Sequence, residues 1–226
     1  AHYAVVPVEN STEGAVGRTM DLLLATSLKI CGEVVLRIHQ NLLSNESDLN
    51  RITKVYSHAQ SLAQCHEWLN RVLPKAQRIS VGSNAQAAQN AAAEPGTAAI
   101  AGEAAAERYK LPKLVENIED EPNNTTRFLI LGKHDAGISG RDKTSLIMSA
   151  PNRTGALHEL LLPLSTAGVS MCRLESRPAR NALWEYVFYV DIEGHRDEPA
   201  IKAALEKLAS YAAYLKILGS YPVAVY

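Results

Sequence analysis

Residues Asn123-Asn124-Thr125-Thr126-Arg127-Phe128-Leu129-Ile130-Leu131 run a polar turn, two hydroxyls and a guanidinium straight into an apolar strand. A strand sends successive side chains to opposite faces, so Thr126 and Phe128 share one face and Thr125 and Arg127 the other. One hydroxyl can then face a ligand while the guanidinium braces or binds behind it. The plainer reading is a loop followed by a β-branched strand start, since loop formers and strand formers meet wherever a strand begins. The rest of the chain has to choose between the two.

Working outward, the 226 residues are 46% hydrophobic and 21% charged, an ordinary globular composition with enough apolar material for a real core. A net charge of −1 and a pI near 6.7 supply no electrostatic footprint for nucleic acid or an anionic membrane, so neither is expected as a partner. No apolar run approaches the roughly 18 to 20 residues that span a bilayer, and no export signal opens the sequence. Cys31, Cys65 and Cys172 are odd in number and far apart, which fits a reducing cytoplasm. The seven histidines form no pair with metal-ligand spacing, so no metal and no cofactor are expected.

Strand and helix patterns alternate along the first part of the chain. Ala4-Val5-Val6-Pro7-Val8 reads as a strand and is followed at once by Glu9-Asn10-Ser11-Thr12-Glu13-Gly14, ahead of a helical pattern at Val16, Met20, Leu23 and Leu24. A polar loop there suits either an anion site at a helix N-terminus or simple capping by Asn10, Ser11 or Thr12. The design recurs where Lys54-Val55-Tyr56 meets Ser57-His58-Ala59-Gln60, and where Ile79-Ser80-Val81 meets Gly82-Ser83-Asn84 before an alanine-rich helix. This alternation predicts an α/β layer with a largely parallel sheet, whose polar sites gather at the carboxyl ends of the strands. Four such ends are polar, and the ligand they imply is a small anion, a carboxylate by preference.

The composition turns polar and glycine-rich over residues 133–142, where a linker separates a first domain (1–132) from a second (143–226). The second reads strand 144–149, helix 155–167, strand 169–175, strand 184–192, helix 198–210 and strand 214–219, the ferredoxin-like βαββαβ order. Along Trp184, Tyr186, Phe188, Val190 and Ile192 one face of the third strand is apolar, and tyrosines on the sheet's other face are expected to meet a partner chain. Asn152-Arg153-Thr154-Gly155-Ala156-Leu157 opens a helix with small residues, where a ligand carboxylate could reach the backbone. Glu175-Ser176-Arg177-Pro178 sets three polar groups at a strand end, suited to an amino acid's ammonium group or a subunit contact, or to nothing beyond a hairpin loop.

Taken together, Val6-Pro7-Val8-Glu9-Asn10-Ser11 with Gly14, Tyr56-Ser57-His58 with Gln60 and Gln64, and Asn124-Thr125-Thr126-Arg127-Phe128 resemble the signature of the prephenate dehydratase family. Gly155-Ala156-Leu157 with Glu175-Ser176-Arg177-Pro178 resembles the family's attached ACT regulatory domain. Each motif alone is weak; their order across nearly the whole chain is specific. The resemblance implies a periplasmic-binding-protein-like catalytic domain that turns prephenate into phenylpyruvate, carbon dioxide and water in phenylalanine synthesis. It implies feedback by phenylalanine bound between ACT domains of a homodimer or tetramer, at Asn152, Gly155, Ala156, Leu157, Glu175, Ser176 and Arg177. Thr126 matches the family's catalytic threonine, with Glu9, Asn10, Ser11, Ser57, Gln64, Asn124 and Arg127 around the substrate. Gly82 stands where a family glutamate is expected, so no role carries over there.

Family members begin with a further glycine-rich strand segment, so the first lobe is expected to be incomplete here, which leaves open whether this chain is active alone. The competing reading is a non-catalytic amino-acid-sensing module, against which the retained Thr126, Asn124 and Arg127 argue.

Overall fold

The computed structural model describes residues 2–179 and 186–225. Strands β1 (Ala4–Asn10) and β2 (Gly14–Ala15), helix α1 (Gly17–Ala25) and strand β3 (Lys29–Arg37) come first. The middle of the chain holds β4 (Asn41–Leu43), β5 (Lys54–Ser57), α2 (Ala59–Gln64), α3 (His66–Val72), β6 (Gln77–Ser80), α4 (Asn84–Ala93), β7 (Thr97–Ala101), α5 (Glu103–Tyr109) and β8 (Lys113–Val115). Then follow β9 (Thr125–Gly132), β10 (Asp142–Ser149), α6 (Ala156–Thr166), β11 (Met171–Pro178), β12 (Tyr186–Glu193), α7 (Pro199–Tyr211) and β13 (Tyr214–Pro222). Trp184, placed on the third strand of the second module by its sequence pattern, lies outside the described residues.

The chain divides into two compact units, one of residues 1–36 with 126–226 and one of residues 37–125. In the second unit the sheet runs β6-β5-β7-β4-β8. Its β5, β6 and β7 are parallel, as alternating strands and helices predict, whereas β4 is antiparallel to both β7 and β8. Apolar clusters cover both faces of this sheet, one around Val55, Leu69 and Ile100, the other around Tyr56, Ala88 and Ala99. That two-sided burial is why β7 and β4, at its centre, are buried along their whole length rather than alternating.

The first unit holds two sheets, β2-β1-β9-β3 and β11-β12-β10-β13. The first is not the parallel sheet the alternation suggested, because β1 pairs antiparallel with both β2 and β9. The second has the βαββαβ order, with β12, β10 and β13 antiparallel neighbours and helices α6 and α7 packed together. On one face of this sheet Leu146, Met148, Val190 and Ile192 join Leu160, Leu164, Leu205 and Leu208 of the helices in a core. On the other face Ile147, Val187, Tyr189, Leu218 and Tyr221 pack with Val8, Met20, Leu23, Ile30 and Leu129. The tyrosines expected to meet a partner chain are therefore used inside this one: the Tyr189 hydroxyl donates to the Met20 carbonyl at 2.7 Å. Sequence periodicity shows that a face is apolar, but not what covers it.

Helix α1 and the strand β3 that follows it are held to the ferredoxin-like sheet at three further points. The Lys216 ammonium donates to the carbonyls of Leu23, Leu24 and Thr26, filling the open C-terminal end of the helix where a cation is favoured. Arg177 reaches Asp21 at 3.4 Å. At Gly219 the β13 and β3 backbones approach so closely that an added Cβ would lie 2.1 Å from the Ile30 carbonyl oxygen.

Candidate active site and effector pocket

The site grows from a break in the β1 ladder. Pairing with β9 runs Pro7↔Phe128 and then Glu9↔Arg127 and Asn10↔Thr126, with a register shift between Pro7 and Glu9. Such a bulge re-aims the side chains that follow it, and here Val8 enters the core while Asn10 faces Thr126. Asn10 does not cap α1: its Oδ1 accepts from the backbone N–H groups of Thr12 and Glu13, closing the turn into β2. Helix α1 instead begins after Val16 without a side-chain cap, a correction to the capping expectation for residues 10–12. Ser11 lies exposed in that turn.

Because its oxygen is committed to two amides, the Asn10 nitrogen must be the atom that meets Thr126, and it donates to Oγ1 at 2.9 Å. The hydroxyl oxygen thus receives a hydrogen bond, and its own proton is directed away from Asn10. A hydroxyl arranged in this way is oriented as a donor, and the amide N–H favours negative charge on its oxygen.

Arg127, on the opposite face of β9, is anchored to the protein itself. Its Nε donates to Glu33 at 2.7 Å, Nη1 to Asp191 at 2.6 Å and Nη2 to the Tyr221 hydroxyl at 2.9 Å. Burial works against the cation, but the negative charge of Asp191, the bond to it and the charge of Glu33 outweigh burial and raise the Arg127 pKa. Desolvation also opposes ionisation of Glu33, yet the Ala224 N–H, Lys143 and Arg127 hold its pKa below the usual carboxylate value. Burial first, then Asp191, pushes the Tyr221 phenol upward, so it stays protonated. Asp191 also accepts from the Ser145 hydroxyl, which in turn is bonded to Tyr221. Glu9 lies 3.2 Å from Arg173 Nε and 3.7 Å from Arg127 Nη1. None of Glu33, Asp191, Tyr221 or Arg173 is marked by a local motif, so sequence spacing could not find them.

In the other unit Ser57 and Asn124, two of the three expected residues, are more buried than a contact role suggests, while Gln64 is half-buried. Ser57 is fully buried, with Oγ 2.8 Å from the Ile100 carbonyl and 3.0 Å from Asn84 Oδ1, so one hydroxyl proton serves one of two acceptors at a time. Asn84, named in the sequence only as part of a polar strand end, is the hub of this cluster, since its Oδ1 also accepts from the His58 N–H and its Nδ2 donates to Ser61. Gln64 accepts from Gln40 Nε2 at 3.2 Å. Asn124 is buried, and its carbonyl accepts from the Ile38 N–H. Among the described residues no cluster of three metal-ligating side chains occurs.

A cavity of about 240 Å³ opens on the helix side of the ferredoxin-like sheet, lined by residues that include Ser149, Asn152, Ala156, Leu157, Tyr186 and Phe188. Gly155, at φ +77°, makes the left-handed turn that starts α6, and open space lies where a Cβ would point. Of the residues expected at an effector site, Asn152, Ala156 and Leu157 line this cavity, while Glu175, Ser176 and Arg177 lie elsewhere on β11.

The fold and site define an α/β domain that presents a hydrogen-bonded threonine at a strand end, joined to a ferredoxin-like module that carries a cavity. Residues 1–136 match the prephenate dehydratase family and residues 144–210 the ACT domain, and the chain belongs to the prephenate dehydratase family. A bifunctional chorismate mutase/prephenate dehydratase of Neisseria gonorrhoeae is 60% identical over 228 residues, covering all of this chain and 63% of the relative. This chain therefore spans less than two thirds of that relative's length. The solved prephenate dehydratase of Arthrobacter aurescens in complex with L-Phe has a TM-score of 0.88 at 32% identity, over 99% of this chain and 75% of the other. A protein described as a novel type of quorum quenching acylase has a TM-score of 0.87 at 31% identity, over 99% of this chain and 82% of its own. Neighbours of such different description show that the fold alone does not decide the chemistry.

Proposed function

We propose that this protein carries out the decarboxylating dehydration of prephenate to phenylpyruvate, the lyase step of phenylalanine biosynthesis, and that phenylalanine binding at the ACT cavity inhibits it. The observation that carries the reading is the Asn10–Thr126 hydrogen bond, in which the threonine oxygen accepts and its own proton is left for another partner. In the reaction the bond from the ring to its carboxylate breaks, and its electron pair enters the ring as carbon dioxide leaves. The ring carbon–hydroxyl bond breaks as Thr126 supplies the proton that completes water. Aromatisation supplies the driving force, so the protein's part is to position the substrate and to favour charge on the Thr126 oxygen. Thr126 then takes a proton back from solvent water, which supplies the one proton consumed per turnover.

Asn10 orients Thr126, and Glu9, Ser11, Gln64 and Asn124 are assigned to substrate binding or its support. Ser57, being fully buried, orders the end of β5. Arg127, with its guanidinium on Glu33, Asp191 and Tyr221, holds the strand behind Thr126. The catalytic part is assigned to residues 1–132, a linker to 133–142 and the regulatory module to 143–226. A cytoplasmic homodimer or tetramer completes the reading.

The test is prephenate turnover by the intact enzyme and its Thr126→Ala variant. Loss of one positioned proton donor should lower kcat by about 100-fold or more, with phenylalanine binding unchanged by calorimetry. Equal activity in the two proteins removes Thr126 from the mechanism. An intact enzyme that binds phenylalanine but never turns over prephenate favours the amino-acid sensor instead.

A further inference from the structure

Two rungs of two different sheets meet as four charges in the first unit. Glu9 and Arg127 are register partners in the β1–β9 ladder, and Arg173 and Asp191 are register partners in the β11–β12 ladder. The signs are complementary: Arg127 lies 2.6 Å from Asp191, and Glu9 lies 3.2 Å from Arg173. The next rung beyond Glu9↔Arg127 is Asn10↔Thr126, the hydrogen-bonded pair of the active site. A shift of the charged rung therefore moves the catalytic rung with it, because neighbouring ladder residues share one rigid backbone.

The other end of the connection lies on β12. Tyr186 and Phe188 line the effector cavity, while Val187 and Tyr189, on the alternate face of the strand, are in the core shared with β1, α1 and β9, and Asp191 continues that face. One strand thus presents the effector on one side and grips the catalytic ladder on the other. The two halves of the charge quartet are unequal. Arg127–Asp191 is a short, aligned, charge-assisted bond, whereas Arg173 makes no hydrogen bond through Nε or Nη2 despite its closeness to Glu9. A buried guanidinium left partly unbonded is costly, so the quartet is not in its best-paired arrangement and a small shift of β11 or β12 could improve it.

Resting on the reading of this chain as a phenylalanine-regulated dehydratase, we propose that the Glu9–Arg127–Asp191–Arg173 quartet couples effector occupancy to the Thr126 hydroxyl, with Asp191 and Arg173 as positioning residues. Phenylalanine against Tyr186 and Phe188 displaces β12, and Asp191 carries that displacement through Arg127 into the β1–β9 ladder.

The experiment uses the intact enzyme and its Asp191→Asn and Arg173→Gln variants, with prephenate kinetics and phenylalanine calorimetry on each. Both variants should bind phenylalanine within threefold of the wild-type Kd yet retain at least half their activity when saturated with it. Asp191→Asn should also lose tenfold or more in kcat while KM stays within threefold, a split that general loosening of the fold would not produce. Full inhibition with unchanged kcat in both variants overturns the proposal, and so does loss of phenylalanine binding in both, which would make these residues mere supports of the pocket. Where Asp191→Asn fails to fold, Arg173→Gln decides alone. A wild type without prephenate turnover sinks the functional reading and not the quartet. Amide exchange along residues 125–132 then decides the quartet: slowed or quickened exchange on phenylalanine addition that vanishes in Arg173→Gln supports it, and no change in the wild type refutes it.

Discussion

The two faces of the ferredoxin-like sheet are built from different materials. Under helices α6 and α7 the core is aliphatic, with Leu146, Met148, Val190 and Ile192 against leucines of the helices. Facing β1, β3 and β9 the core mixes apolar residues with Ser145, Asp191 and Tyr221; Ser145 is bonded to the other two, and both of those are bonded to Arg127. An aliphatic interface stabilises in proportion to area and tolerates small slides, because its attraction has no direction. A hydrogen-bonded charge network contributes little net stability but admits few geometries, since a misplaced buried charge is heavily penalised. The helix face holds its module together; the other face specifies where that module sits on the strand bearing Thr126.

The largest expected effect is on the specifying face. Gly219→Ala would drive a methyl to 2.1 Å from the Ile30 carbonyl, a clash with backbone that no rotamer relieves. The cost should exceed the usual overpacking range of about 1 to 3 kcal/mol. Urea unfolding should then show two separate transitions in place of a shared one, and a single unshifted transition would refute the close packing of β13 on β3.

On the helix face Leu160→Ala removes a fully buried side chain and should cost about 3 kcal/mol through lost transfer energy and a cavity. Because Leu160 takes no part in the charge network, kcat per folded molecule and the degree of phenylalanine inhibition should not change. A fall in kcat at full occupancy of the folded state would show that the two faces are not separable.

The smallest expected effect is a slope. Glu33 has a folded-state pKa below its unfolded value of about 4.3, so its stabilising contribution is fully present above that pH and is lost as pH falls through the lower folded value. Stability measured by urea midpoint should therefore decline on the acid side. In Glu33→Gln that part of the decline should disappear, although the variant is less stable at neutral pH. An unchanged acid limb would mean that Glu33 does not titrate with folding.

Much of the architecture was legible because it rests on local rules. The βαββαβ order followed from period, and every element of it appears within a few residues of its expected place. The division of Thr126 and Arg127 between opposite faces followed from strand alternation, and the structure places Arg127 in the bracing position that alternation allowed. Other readings failed for identifiable reasons. The polar run Glu9–Gly14 looked like a helix cap, but the left-handed Gly14 turns the chain into the two-residue strand β2 and consumes Asn10 first. Tyr189, on the other face of β12, looked available to a partner chain because nothing in the sequence marks Met20 as its acceptor.

By itself the sequence determined the element order, the alternate faces of β9 and β12, and the motifs that ally the chain with prephenate dehydratases. These depend on backbone stereochemistry and on residues near one another along the chain. Only the tertiary structure decided that Glu33, Asp191 and Tyr221 surround Arg127, from positions 64 to 94 residues away from it in sequence. Ion pairs of that separation leave no periodic trace, because any acidic residue can serve and only the folded path selects which one arrives.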